Sequence, residues 1–317
     1  VNIKELVVKT LKHPLSVVIN YLFKRFNIFV IYRIGNAIGD QVCMSAVVRL
    51  IDKQYPYKIV VISSYPEIFY NNPRIWKNIN INKSDSTPLR IIRFLKGFQI
   101  EHFFPTFKNI VFEDHMRQTK SNIHLIEAHS QHFFHKIKQD KFKNEIFFSK
   151  DEIEQYRLKF KLLSRFSLIN PVGKDSYTPN KNWRFDNFQQ IVSSSDNINW
   201  IQVGISDDKK LLGVLDYRGA TTLRELFYLV SKAEFILANE GLLNHIASAF
   251  NTKSYVVHSG FSQTALSKYG NTTFFSNNIA CEYSPCWKLD ECGIKNKPCI
   301  NSITPYKVLE RIIKDKA

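Results

Sequence analysis

The chain has 317 residues, 44% apolar and 23% charged, the balance of a globular protein long enough for two domains. No run approaches the roughly 18–20 consecutive apolar residues that a membrane-spanning helix needs. Lys9, Lys12, His13, Lys24 and Arg25 interrupt the early apolar stretches and no small-residue cleavage site follows them, so no secretory leader is read and a cytoplasmic location is expected. The net charge of +16 is spread along the whole chain, which fits a Lys-rich background as well as an anionic partner. No zinc-finger spacing or aromatic RNP signature points to nucleic acid.

Residues 1–27 are basic and partly amphipathic, broken at Pro14. They read as a helix packed on its own domain or as one lying on an anionic membrane face. IFVIYR (28–33) is a predicted strand, Ile34–Asp40 a Gly-containing loop, and Gln41–Lys53 a helix with Val42, Ala46, Val47, Leu50 and Ile51 inward. KIVVIS (58–63) is the next strand, which completes a βαβ unit and predicts a parallel sheet. Residues 64–140 are less regular, with helices expected at Ser86–Gly97 and Asn122–Lys138. The histidines at 115, 124, 129, 132 and 135, near Arg117 and Lys120, read first as a solvated helix face and second as a basic acceptor-binding surface. Ser149 and Glu152 form a capping box for a helix over 149–165.

The second half repeats the pattern more clearly. Strands are expected at 166–171, 199–204, 235–238 and 253–260, and helices at 183–195, 221–233 (capped by Thr221 or Thr222) and after Gly241. Alternating strands and helices predict an α/β fold of two Rossmann-like, doubly wound domains facing across a cleft. The first covers residues 1–150, a bridging helix 151–165, the second domain 166–302 and a C-terminal helix 303–317. Ligands of such sheets bind beyond the carboxyl ends of the strands.

Three strand-end loops carry candidate chemistry. Arg33 to Asp40 has two glycines but neither the GxGxxG spacing of a dinucleotide site nor the GK[ST] ending of a P-loop. Asp40 alone reads as a helix N-cap; beside an anion site it becomes a candidate general base. The loop 170–183 carries Lys174 and Lys181 ahead of a helix start, a pairing suited to a diphosphate, with Trp183 favouring an ordered loop. In FILANEGLLNHIASAF (235–250), Glu240 and His245 sit in the first turn and a half of a helix behind a buried strand. Each alone reads as a cap and a core residue; the coincidence of three such loops favours a site.

Taken together, Arg33-x-Gly-x-x-x-Gly-Asp40, Ser45-Ala46-x-x-Arg49-Leu50, Lys181-x-Trp183 with Phe188, Gly219-x-Thr221-Thr222-Leu223-x-Glu225-Leu226, and Asn239-Glu240-Gly241-x-x-x-His245-x-Ala247-x-Ala249 resemble the ADP-heptose:lipopolysaccharide heptosyltransferase family over about residues 28–300. The resemblance implies a GT-B fold and an inverting sugar transfer that needs no cofactor or catalytic metal. The acceptor, a phosphorylated glycan or glycolipid such as lipopolysaccharide core, would bind the N-terminal domain, and the nucleotide sugar, ADP-heptose, the C-terminal one. It places the base on Asp40 and the acceptor-side loop on Arg33, Gly35, Asn36 and Gly39. Donor contacts fall on Asn170, Lys181, Gly204, Thr222, Glu240, Gly241 and His245. Many members have Asp followed by Ser/Thr-Gly where this chain has Glu240-Gly241-Leu242; Glu is one methylene longer, so its contact with the donor differs. A glycosyltransferase of the same fold using another nucleotide sugar or a protein acceptor, or a non-catalytic glycan-binding relative, would share these features. Location would be cytoplasmic, at most peripheral to the inner membrane.

Cys43 reads as a small buried residue. Cys281, Cys286, Cys292 and Cys299 fall within 19 residues with Pro285, Gly293 and Pro298 among them, a set that can wrap one tetrahedral metal; disulfides or free thiols are the alternatives. The segment resembles the cysteine-rich part of the autotransporter-modifying heptosyltransferases, which bind iron. That resemblance implies structural iron or zinc here.

Overall fold

The computed structural model describes residues 18, 21–22, 25–33, 37–80, 122–130, 142–161, 165–173 and 177–316. The N-terminal half opens with β1 (Ile28–Arg33), α1 (Ile38–Gln54), β2 (Lys58–Ser63), a 3-10 turn at Pro66–Phe69 and β3 (Ile75–Asn80). These strands form a parallel sheet in the order β1-β2-β3, in which Ile31 lies opposite Val61, and Val61 opposite Asn78. β3 arises in the stretch expected to be irregular: its burial is partial, so its sequence lacks the apolar run that marks β2. α1 begins three residues before the predicted start, at Ile38, with Ala37 as its N-cap and no side-chain cap. Of the predicted helix at 122–138 the described part is α2 (Leu125–Ser130), and the one at 86–97 lies outside the described residues.

α3 (Lys150–Phe160) carries the predicted capping box between Ser149 and Glu152 and ends at Lys161, whose φ is +35°. The C-terminal half follows as β4 (Ser167–Asn170), α4 (Phe185–Ser193), β5 (Trp200–Gln202), β6 (Leu215–Asp216), α5 (Leu223–Lys232), β7 (Phe235–Asn239), α6 (Leu242–Phe250), β8 (Lys253–His258), β9 (Thr272–Ser276), α7 (Pro298–Asn301) and α8 (Pro305–Lys316). Its six strands are all parallel, in the order β6-β5-β4-β7-β8-β9. Counted within this half that is 3-2-1-4-5-6, the doubly wound order. The direction of winding reverses between β4 and β7, which opens a crevice beyond Asn170 and Asn239.

One buried apolar cluster runs through both halves, joining Phe29, Ile31, Val47 and Ile51 to Leu168, Phe227, Leu229 and Ile246. A second, built on Trp183, Phe188, Trp200 and Tyr255, seats α4 and α8 against the other face of the C-terminal sheet. Arg224, on α5, fastens the halves together. Its guanidinium makes two 2.9 Å bonds to the Glu152 carboxylate, donates to the carbonyls of Phe147 (2.7 Å) and Glu67 (3.2 Å), and lies 4.6 Å from the centre of the Phe148 ring. Among the described residues no helix is long and apolar enough to cross a membrane. Val18, Tyr21, Leu22 and Phe26 are exposed, so these positions of the N-terminal segment do not pack as expected on their own domain.

Removing Arg224 would take its cation from the partly buried Glu152 carboxylate, leaving it the Asn71 amide and the Ser149 N–H, and would strand two backbone carbonyls. Arg224→Ala should therefore cost about 3 kcal/mol of stability, read from urea denaturation, whereas Arg157→Ala, whose partner Glu154 is exposed like itself, should leave the urea midpoint at the wild-type value.

Candidate active site

The reversal point of the C-terminal sheet is organised by Asn239, the last residue of β7. Its amide donates to the Pro171 carbonyl beyond β4 (2.8 Å) and accepts from the backbone N–H of Trp183 (2.9 Å). The Trp183 indole in turn donates to the Ile303 carbonyl (3.0 Å) and is buried. These bonds pin the loop before α4 across the ends of β4 and β7. The 3-10 turn Pro179–Lys181 then brings the Lys181 ammonium within 2.6 Å of the Glu240 carboxylate. The rings of Tyr177 and Phe261 flank that ammonium, with centres at 5.2 and 5.0 Å.

Burial alone would raise the Glu240 carboxyl. Lys181, then His258 and His245, overcome it and hold the group down at about 2. His258 ends β8 and is held at about 4, because burial outweighs the attraction of Glu240. Burial also lowers His245, against the pull of Glu240 and Asp40. At neutral pH the mouth of the crevice thus holds one ion pair between two uncharged imidazoles.

Across the cleft stands the first turn of α1, in which Ile38, Gly39 and Asp40 are the first three helical residues. A Cβ on Gly39 would lie 2.9 Å from Cδ2 of His245, closer than real Cβ contacts come, so glycine is what lets this turn sit against α6. Asp40 is therefore not the N-cap it resembles in sequence; it follows Gly39 within the turn, and its charge acts on both His245 and Cys43. Nδ1 of His245 is 2.7 Å from the Tyr269 hydroxyl, and the Cys43 sulfur lies 3.4 Å from each. The Asn144 amide donates to the His245 carbonyl (3.0 Å), the Ser248 hydroxyl (2.9 Å) and the Tyr269 hydroxyl (3.2 Å). Burial pushes the Cys43 thiol up to about 12, which makes it a neutral packing group, as expected.

The other expected residues separate. Asn170, at the end of β4, donates to the Val203 carbonyl (2.8 Å), and Gly204 beside it leaves room for the Asp208 carboxylate. Gly241 is the N-cap of α6, which has no side-chain cap, and a Cβ there would meet nothing within 4 Å. Thr222 is spent elsewhere: its hydroxyl accepts from the Glu225 N–H as the cap of α5, and Glu225 bonds back to the Thr222 N–H. The side chain of Arg33, together with Gly35, Asn36 and Lys174, lies outside the described residues. His124 and His129 are buried rather than on a solvated face; His124 stacks on Phe142 and accepts from the Ile126 N–H, and burial takes it to about 3. His115, His132 and His135 are not among the described residues. Sequence reasoning missed His258, Tyr269 and Asn144. Of these, only His258 left a signal, as a titratable residue at the carboxyl end of a buried strand.

Cys281, Cys286, Cys292 and Cys299 are free thiols, and each of the other three acts electrostatically on Cys299. Burial raises Cys286 and Cys299. The donor set suits a soft ion, but among the described residues no three His, Cys, Asp or Glu side chains form a group that could hold one.

The Glu240 carboxylate stabilises the fold above its unfolded range near 4.5, and that contribution is lost as pH falls toward about 2. Glu240→Gln should cost about 3 kcal/mol at pH 7, and the gap between variant and wild type should narrow between pH 5 and pH 3. Urea midpoints across that range would measure it.

No family model matches the chain, and no curated protein matches it by sequence. Solved structures do. A glycosyl transferase family 9 protein from Veillonella parvula superposes with a TM-score of 0.67 at 10% identity, over 91% of this chain and 97% of its own. The E. coli ADP-heptose lps heptosyltransferase II gives 0.64 at 13%, over 91% and 100%. The iron-containing dodecameric glycosyltransferase TibC from enterotoxigenic E. coli gives 0.65 at 10%, over 92% and 77%. At these identities the likeness is one of fold: the chain is built as these GT-B glycosyltransferases are, over nearly its whole length.

Proposed function

We propose that the chain is an inverting glycosyltransferase that moves heptose from ADP-heptose to a hydroxyl of a cell-surface glycan such as lipopolysaccharide core. The observation that carries this reading is the Lys181–Glu240 pair at the reversal point of the donor-side sheet, with the Asp40 turn of the other domain packed against His245. Two of the structures with this fold carry names that fit: an ADP-heptose lps heptosyltransferase and a glycosyltransferase solved elsewhere with ADP-D-beta-D-heptose.

In this reading Asp40 takes the proton of the acceptor hydroxyl as its oxygen attacks the anomeric carbon. The bond from that carbon to the diphosphate breaks on the opposite face, and configuration inverts. The leaving ADP carries the negative charge. Lys181 meets it, helped by the backbone N–H groups at the start of α6, where no side chain serves as cap. Glu240 holds Lys181 in place before the donor arrives and, with His245 and Gly241, contacts it afterwards. The buried apolar cluster shared by the two halves backs the cleft and limits water, the competing acceptor.

The remaining parts of the reading are a phosphorylated glycolipid acceptor, a cytoplasmic location and contact with an anionic membrane. The exposed Val18, Tyr21, Leu22 and Phe26 beside Arg25 support the last of these. Four thiols within 19 residues, three of which act electrostatically on Cys299, support a structural iron or zinc ion, which would stiffen the segment 281–299 and take no part in the transfer.

A panel of nucleotide sugars tests the donor by thermal stabilisation: an ADP-sugar should raise the melting temperature most, and a preference for a UDP- or GDP-sugar would sink the heptose reading. Asp40→Asn should lower kcat by about 10²–10⁴ with ADP affinity unchanged; unchanged turnover would remove Asp40 as the base. Elemental analysis of the purified protein should find about one iron or zinc per chain, lost in Cys292→Ser.

A further inference from the structure

The cysteine-rich segment folds back over the loop that presents Lys181. Asn180, 5% exposed and next to Lys181, spends its whole side chain on that segment. Its amide donates to the carbonyls of Lys288 (2.7 Å) and Asp290 (2.6 Å) and accepts from the Cys292 N–H (3.0 Å). Thr178 adds a bond from its hydroxyl to the Lys288 carbonyl (3.1 Å) while accepting from the Asn180 N–H (3.2 Å), which closes the turn. A second set of contacts comes from the other side. The N–H groups of Cys286 and Trp287 donate to the carbonyls of Gly260 (3.0 Å) and Phe261 (2.9 Å), and the Trp287 ring packs on Phe261 at 5.4 Å between centres. Phe261 is one of the two rings against the Lys181 ammonium. A Cβ on Gly260 would lie 2.8 Å from the Ser284 hydroxyl and 2.9 Å from Cβ of Cys299, so the segment sits directly on that backbone.

The same 19-residue segment therefore fixes both the backbone that carries Lys181 and an aromatic wall of its ammonium. We propose that Asn180 is a positioning residue for Lys181 and that the cysteine-rich segment is the brace through which it acts, so that the order of that segment sets the affinity of the cleft for a nucleoside diphosphate. The proposal rests on reading Lys181 as a diphosphate ligand. Linkage makes the coupling two-way: a diphosphate on Lys181 must also stabilise the segment around Cys286 and Cys292.

The test uses the full chain with Asn180→Asp, which keeps the shape and loses both donated bonds, and Asn180→Ala. Lys181 accessibility is read by competitive acetylation with acetic anhydride and peptide mass spectrometry, ADP affinity by calorimetry, and segment order by the rate of alkylation of Cys286 and Cys292 with N-ethylmaleimide. Acetylation of Lys181 should rise about fivefold and ADP should bind about tenfold more weakly, with the far-UV circular dichroism of wild type. ADP should slow alkylation of the two thiols in wild type and not in Asn180→Asp. A folded Asn180→Asp protein with Lys181 acetylated at the wild-type rate would overturn the proposal. Should wild type bind no ADP, UDP or GDP while Lys181 is still unshielded in the variant, the diphosphate reading fails and the positioning role stands.

Discussion

The arrangement of this chain turns on a single buried cation. Arg224 sits on a C-terminal helix, but its bonds go to Glu152 of the bridging helix and to carbonyls at Glu67 and Phe147 of the N-terminal half. Glu152 meanwhile closes the capping box of its own helix and accepts from the Asn71 amide. α3 and the two halves on either side of it thus meet at one guanidinium, whose planar fork can serve several acceptors at fixed angles where an ammonium could not. With that junction fixed, the orientation of the cleft is no longer a free variable. The first turn of α1 faces the middle of α6, where Gly39 lies against His245.

The cleft itself shows how burial sorts ionisable groups into charged and uncharged roles. Glu240 keeps its charge despite its burial because the Lys181 ammonium lies 2.6 Å away. His245, His258 and His124, without a counter-charge at such range, are driven to the neutral form by the same desolvation. A diphosphate entering beside Lys181 would meet a preformed cation whose ordering cost is already met by the protein, with no competing imidazolium to redirect it.

Much of this was legible in the chain before any coordinates. The buried strands IFVIYR, KIVVIS and FILAN are mostly apolar runs, as parallel sheets require; a capping box at Ser149 announced α3, and a threonine cap announced α5, where the structure adds a second box with Glu225. The strands β3, β6 and β9 were not legible: they are short or partly buried edge elements whose side chains carry no clear period. For the site, Lys181, Glu240 and His245 could be placed from their strand-end loops. Their partners could not, because Asn144 and Tyr269 lie 101 and 24 residues from His245 in sequence and meet it only through tertiary packing. Thr222 was legible as a cap of α5, which its bond with the Glu225 N–H bears out. Asp40 taken alone also reads as a cap, since nothing local reveals that the helix starts at Ile38.

α6 has a consequence beyond the site. A helix buried in its middle would ordinarily be apolar there, yet Asn244, His245 and Ser248 are all buried and all satisfied. Asn244 bonds to Ser267, Ser254 and Thr272 within its own half, but His245 and Ser248 depend on Asn144, which belongs to the other. Two separately evolving modules would be expected to meet through interchangeable surfaces. Here the contact is closer to a lock whose wards are cut on one half and whose key, the Asn144 amide together with the Cys43 thiol, is cut on the other. Exchanging one half for that of a distant relative would leave the His245 carbonyl and the Ser248 hydroxyl without that amide.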